Sequence, residues 1–148
     1  MKQKLFKMSV LVYIESKNSK PKKNSAEIIS YGKGLADMLS SELIILSFNI
    51  ENTDVLSNYG PDKILNIKND DLIKFNVQKY ADVIAQVCGS LSINHIIVGG
   101  SADSKYLAPS LSVKTDSSYI SNVVELAQSL RGRTREISLD DIFFPAIV

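Results

Sequence analysis

The stretch Asn94 to Pro109, NHIIVGGSADSKYLAP, constrains the fold more than any other part of this chain. An apolar strand, Ile96-Ile97-Val98, runs directly into Gly99-Gly100-Ser101. A short polar loop follows, and then an apolar helical segment. In an open α/β sheet, ligands bind at the carboxyl end of such a strand, beside the amino end of the next helix. Glycines there let a backbone approach a ligand closely, and unpaired helix N–H groups favour an anion. Gly99, Gly100, Ser101, Asp103 and Lys105 are therefore the candidate binding residues. The competing reading makes Ser101 and Asp103 a helix cap and Lys105 a solvated side chain, because helix starts select Ser and Asp for capping alone.

The flanking sequence supplies the rest of such a sheet. Met8 to Glu15 (MSVLVYIE) and Glu42 to Phe48 (ELIILSF) are nearly continuous in apolar residues, as strands covered on both faces must be. Lys63 to Ile67 (KILNI) alternates and reads as a third, more marginal strand. Ser16 to Lys23 reads as a polar loop. Asn24 and Glu27 form a capping-box pattern for a helix to about Ser40, with Gly32 on its apolar face. Glu51 to Asn58 reads as a short helix or turn. Asn76 to Leu91 is the clearest helix, with Val77, Tyr80, Ala81, Ile84, Val87, Cys88 and Leu91 in one stripe. Pro109 places the start of the last regular helix within a few residues of itself, since proline fits the first turn best. Tyr119 to Leu126 reads as another extended element. This order predicts an α/β fold, a doubly wound and mostly parallel sheet with helices on both faces.

Composition and charge remove support from several function classes. The 148 residues suffice for one domain with a real core, and a net charge of +1 gives no field for nucleic acid or an acidic membrane. No apolar run approaches the length of a membrane span, and the amino end lacks a signal-peptide core, so a cytoplasmic, non-membrane protein is expected. The lone Cys88 precludes an internal disulfide, and with the lone His95 it makes a His/Cys zinc site within the chain implausible. A Ser-His-Asp triad would have to use His95, which opens a buried strand. Tyr59 and Tyr106 can be read as stacking groups, although such residues more often cover a core edge. No catalytic constellation and no metal site is expected.

The last residues, Ala127 to Val148, change character. All 14 lysines precede Thr115, whereas the three arginines, Arg131, Arg133 and Arg135, fall together in this tail. They read as a phosphate-binding cluster or, more simply, as a solvated loop; Asp140 and Asp141 are read as solvated too. An altered reading frame from about Leu126 is a further expectation.

The chain resembles the amino-terminal domain of the electron transfer flavoprotein α subunit. The matching stretches are SVLVYIES, KKNSAEIISYGKGLA, LSNYGPDKILNI, KYADVIAQ, GGSADSKYLAPSLSVK and SSYISNVVEL. They delimit a domain at residues 8–126, with residues 1–7 as an extension and 127–148 as a non-matching tail. The resemblance implies an adenine-nucleotide-hydrolase-like three-layer fold. It implies partnership with a β subunit in a heterodimer holding one FAD, which accepts electrons from flavin-dependent acyl-CoA-type dehydrogenases and passes them to a membrane quinone oxidoreductase. It also implies that flavin is held mainly by a separate carboxy-terminal domain, so this chain alone is expected to bind none, to act as scaffold and subunit interface, and to self-associate when isolated. Ser110 stands where the family commonly has arginine. The alternative reading is a stand-alone AMP- or ATP-binding domain similar to universal stress proteins, with Gly99-Gly100-Ser101 at the phosphates; the P-loop pattern is absent.

Overall fold

A computed structural model describes residues 9–117 and 146–147. Five parallel strands form the central sheet: β1 (Ser9–Tyr13), β4 (Glu42–Phe48), β5 (Lys63–Ile67), β6 (His95–Val98) and β7 (Ala146–Ile147), in the order β5-β4-β1-β6-β7. The expected extended element at Tyr119 to Leu126 lies outside the described residues, as do residues 1–8, Arg131, Arg133, Arg135, Asp140 and Asp141. Two residues of the tail, Ala146 and Ile147, pair with Ile97 and Val98 as the edge strand.

Strand alternation divides the core in two. Val10, Val12, Leu43, Ile45 and Ile97 face α1 (Ser25–Leu39), which buries Ile28, Ile29, Leu35 and Ala36 against them. Leu11, Tyr13, Ile44, Leu46, Phe48, Ile96 and Val98 point the other way, onto α3 (Val77–Leu91) and α4 (Ala102–Thr115). Helices therefore cover both faces, which is why β1 and β4 read as unbroken apolar runs. The α3 stripe is buried as its periodicity requires, through Tyr80, Ala81, Ile84 and Cys88, and Asn76 caps the helix by accepting from the Lys79 N–H at 3.0 Å. A short α2 (Asp54–Ser57) precedes β5. Among the described residues no helix is long and apolar enough to cross a membrane.

Three local expectations need correction. The polar loop after β1 contains a small hairpin, β2 (Ser16–Lys17) and β3 (Lys20–Pro21), turned by Asn18 and Ser19, both at positive φ. Two residues so placed match the right-handed twist of a hairpin. Asn24 precedes α1 but its side chain makes no cap bond, because its backbone is not extended and its amide lies beside Gly99. Pro109 does not mark the start of α4: the helix begins at Ala102 and carries Pro109 inside it. Pro109 and Lys105 are both exposed, so water can reach the carbonyl that lost its donor, which softens the usual penalty of an interior proline.

Gly32 is fixed by close approach. A Cβ there would stand 2.2 Å from Val12 Cγ2, on the central strand. Alanine would gain roughly 1 kcal/mol of helix propensity, but overpacking a fully buried contact costs about 1–3 kcal/mol. Gly32→Ala is thus expected to lose up to about 2 kcal/mol in urea unfolding; a net gain would show that α1 lifts off the sheet freely.

Candidate functional site

The strand order reverses between β1 and β6: β1 leads by way of α1 to β4 on one side, while β6 lies on its other side. The crevice outside their carboxyl ends is the fold's usual ligand position. Here it brings together Glu15, Lys22 and Asn24 from the β1–α1 connection with Gly99, Gly100 and Ser101 from the β6–α4 connection.

Ser101 is the N-cap of α4. Its backbone is extended, at φ −67° and ψ 166°, and its Oγ accepts from the Ser104 N–H at 3.1 Å. The same hydroxyl donates to Glu15 Oε1 at 2.6 Å, spanning 86 positions of sequence. Lys22 Nζ stands 3.5 Å from that carboxylate oxygen, and the Lys22 N–H donates to the Glu15 carbonyl at 3.0 Å. Glu15 is buried, 6% exposed, and its second oxygen, Oε2, has no hydrogen-bond partner among the described residues. A carboxylate of the chain itself therefore sits at the positive amino end of α4, where an anion is favoured.

Gly99 completes the closure. A Cβ on it would lie 2.8 Å from Ile28 Cδ1, 3.2 Å from Asn24 Nδ2 and 3.9 Å from Glu15 Oε2. The glycine serves the close packing of this turn against α1. Gly100 and Lys105 are exposed and Asp103 is half-buried, so the sequence-derived set is split between the packed turn and the solvent side of α4. The Glu15 carboxyl, held by Ser101 and Lys22, occupies the amino end of α4 where the pyrophosphate of a flavin dinucleotide, or the phosphates of AMP or ATP, would have to sit. Glu15 was missed by motif reading; its signal was a carboxylate ending an otherwise apolar buried strand.

The other singled-out residues lie elsewhere. His95 is buried at the amino end of β6, the far end of the strand from the crevice, and pairs in register with Val10. Cys88 is buried on the sheet side of α3, where burial pushes its thiol up to about 12. Tyr59 packs at the margin of the α1-side core, whereas Tyr106 is 71% exposed. Among the described residues no group of three or more His, Cys, Asp or Glu side chains is placed to hold a metal ion. A second concavity of about 760 Å³ opens over the carboxyl ends of β1, β4 and β5, lined in part by Lys17, Asn18, Glu51, Lys68 and Asp70, with charges of both signs. Asn49 and Asn69 brace it through reciprocal bonds of 2.9 and 2.8 Å.

Over 128 residues the chain is 27% identical to an electron transfer flavoprotein subunit alpha of Clostridium acetobutylicum, covering 84% of this chain and 38% of that protein. It is 26% identical over 107 residues to the protein FixB of Clostridium saccharobutylicum, covering 71% of this chain and 32% of that one. The chain thus spans about two fifths or less of the length of these relatives. Among solved structures, a universal stress protein from Archaeoglobus fulgidus aligns with a TM-score of 0.45 at 9% identity, covering 68% of this chain and 84% of that one. The model of the electron transfer flavoprotein domain matches residues 10–141, past Leu126 and through most of the tail, and by that match the chain belongs to the electron transfer flavoprotein domain family.

Proposed function

We propose that the chain serves as the amino-terminal domain of an electron transfer flavoprotein α subunit, acting as scaffold and as the surface that receives the β subunit, with no catalysis of its own. The observation that carries this reading is the crevice between β1 and β6: Glu15 uses the ligand position of the fold to bind Ser101, so the domain is built for packing rather than for holding a nucleotide. The family match and the resemblance to α subunits support the rest. In the complete heterodimer the FAD is held mainly by a carboxy-terminal flavin domain of the α subunit, and the assembly carries electrons from flavin-dependent acyl-CoA-type dehydrogenases toward a quinone oxidoreductase of the respiratory chain. The site of action is the cytoplasm. The domain unit begins near residue 8 and runs past residue 126, a reading supported by the family match to residue 141 and the pairing of Ala146 and Ile147 with β6. Gly99, Gly100 and Ser101 shape its strand-end turn, and Asp103 and Lys105 the first turns of α4, rather than grip a ligand.

Sedimentation velocity of the chain mixed with an electron transfer flavoprotein β subunit tests this directly. A 1:1 complex is expected. No complex, together with tight AMP or ATP binding by the chain alone, would instead favour the stand-alone nucleotide-binding reading.

A further inference from the structure

Helix α4 is apolar on two opposite sides. It buries Ser104, Leu107, Ala108 and Leu111. On the far side Ala102, Tyr106, Pro109 and Val113 are all exposed, Tyr106 at 71% and Val113 at 82%. At 3.6 residues per turn these four fall within an arc of about 60°. A surface helix needs only one apolar stripe, facing the core. The second stripe has nothing to bury against among the described residues.

The charges beside this stripe point to its occupant. One flank carries Lys105 near the start of α4 and Asp116 at its C-cap; the other carries Asp103 near the start and Lys114 near the end. Each flank therefore holds one lysine and one aspartate at opposite ends. When two copies of a helix pack antiparallel about a two-fold axis, each flank meets the same flank of its mate, and every contact occurs twice. With the axis passing near Pro109, Tyr106 lies against Val113 of the second copy. Lys105 lies against Asp116 of the second copy, and Asp103 against its Lys114. Opposite charges meet on the Lys105 flank, whereas on the other the half-buried Asp103 lies near enough to Tyr80 of α3 to act on its hydroxyl; the antiparallel helix dipoles also oppose favourably. Lys114 already pairs with Asp82 of α3 at 2.5 Å, so the Lys105 flank carries more of the complementarity. Neither Lys105 nor Asp116 has an ion-pair partner among the described residues.

We propose that the outer face of α4 pairs two copies of this chain in an antiparallel, two-fold-symmetric dimer centred on Pro109. One helix stripe buries less than the roughly 800 Å² per partner of a stable complex, so a dissociation constant on the order of 10–100 μM is expected. This proposal does not depend on the assignment of the chain to an electron-carrying assembly.

Sedimentation equilibrium of the full chain between micromolar and millimolar concentration tests it. The mass is expected to rise from monomer toward dimer, and Tyr106→Glu or Val113→Glu to weaken association at least tenfold with an unchanged melting temperature, since both side chains are exposed. Lys105→Asp is expected to weaken the dimer several-fold, and adding Asp116→Lys to restore it, because the swapped pair attracts again. A monomer at millimolar concentration, a dimer indifferent to Tyr106→Glu, or a charge swap that fails to restore association would each overturn the proposal. So would variants at this face that leave self-association intact but abolish binding of a β subunit.

Discussion

Phe48→Ala is expected to lower stability by about 3–5 kcal/mol, the range for emptying a buried aromatic site. Phe48 is 2% exposed and ends β4. Its ring lies 5.5 Å from that of Tyr13, which ends β1, and 4.9 Å edge-on from that of Tyr80 on α3. Phe75 stacks edge-on against Tyr80 at 5.0 Å, extending the cluster. Such aromatic contacts add roughly 0.5–1.5 kcal/mol per pair beyond area burial. Domains of this kind are stable by only about 5–15 kcal/mol, so the truncation removes a large share of the total. Phe48→Leu keeps most of the volume but forfeits both ring contacts, and is expected to lose about 1–3 kcal/mol. Urea unfolding reads both as a fall in midpoint at constant m-value. A loss under about 1 kcal/mol for alanine would mean that the carboxyl edge of the sheet collapses readily around the gap. That result would weaken the view that this cluster anchors the turn carrying Glu15, two residues beyond Tyr13.

The second large effect is alkaline. Burial pushes the Cys88 thiol up to about 12, opposed in small part by a backbone hydrogen bond. Burial also holds the Tyr13 hydroxyl well above its ordinary range, reinforced by Tyr80, Glu15 and Asp103; Tyr80 is raised for the same reasons. In the unfolded chain these groups ionise near their usual values, about 8.5 for Cys and about 10 for Tyr. Above those values the unfolded state has lost protons that the folded state keeps, so stability falls as pH rises. The contribution is complete below about pH 8.5 and drains between there and pH 12, by roughly 1 kcal/mol per pH unit for the thiol and more steeply above pH 10 as Tyr13 joins. Urea midpoints at pH 7.5, 9.5 and 10.5 should decline in that pattern, and Cys88→Ala should flatten the first part of the decline. A midpoint level to pH 10.5 would show that these groups reach water in the folded chain.

The parts of this fold that follow from local pattern were legible in the sequence. The α3 stripe is a clean helical period, and β1 and β4 are apolar on both faces, so their place at the sheet centre could be read directly. The departures share one cause, which is that tertiary placement outweighs a local rule. Pro109 is tolerated inside α4 because it lies on the side of the helix turned away from the core, exposed in the single chain. Asn24 holds a capping position but is drawn toward Gly99. The hairpin at Asn18-Ser19 has strands of two residues and no glycine, too little pattern to detect. At the crevice, Ser101 was visible as a cap or ligand, but the side chain that decides between those roles, Glu15, lies 86 positions away in sequence. A single chain read in order shows no link between them.

The most direct measurement is an amide-resolved NMR titration of the chain with AMP, ATP and FAD, following Gly99 to Lys105. With Glu15 occupying the amino end of α4, these amides are expected to stay unmoved to millimolar ligand. Saturable shifts there at micromolar AMP, ATP or FAD would contradict the assignment of this domain as a scaffold and make it a nucleotide-binding module instead.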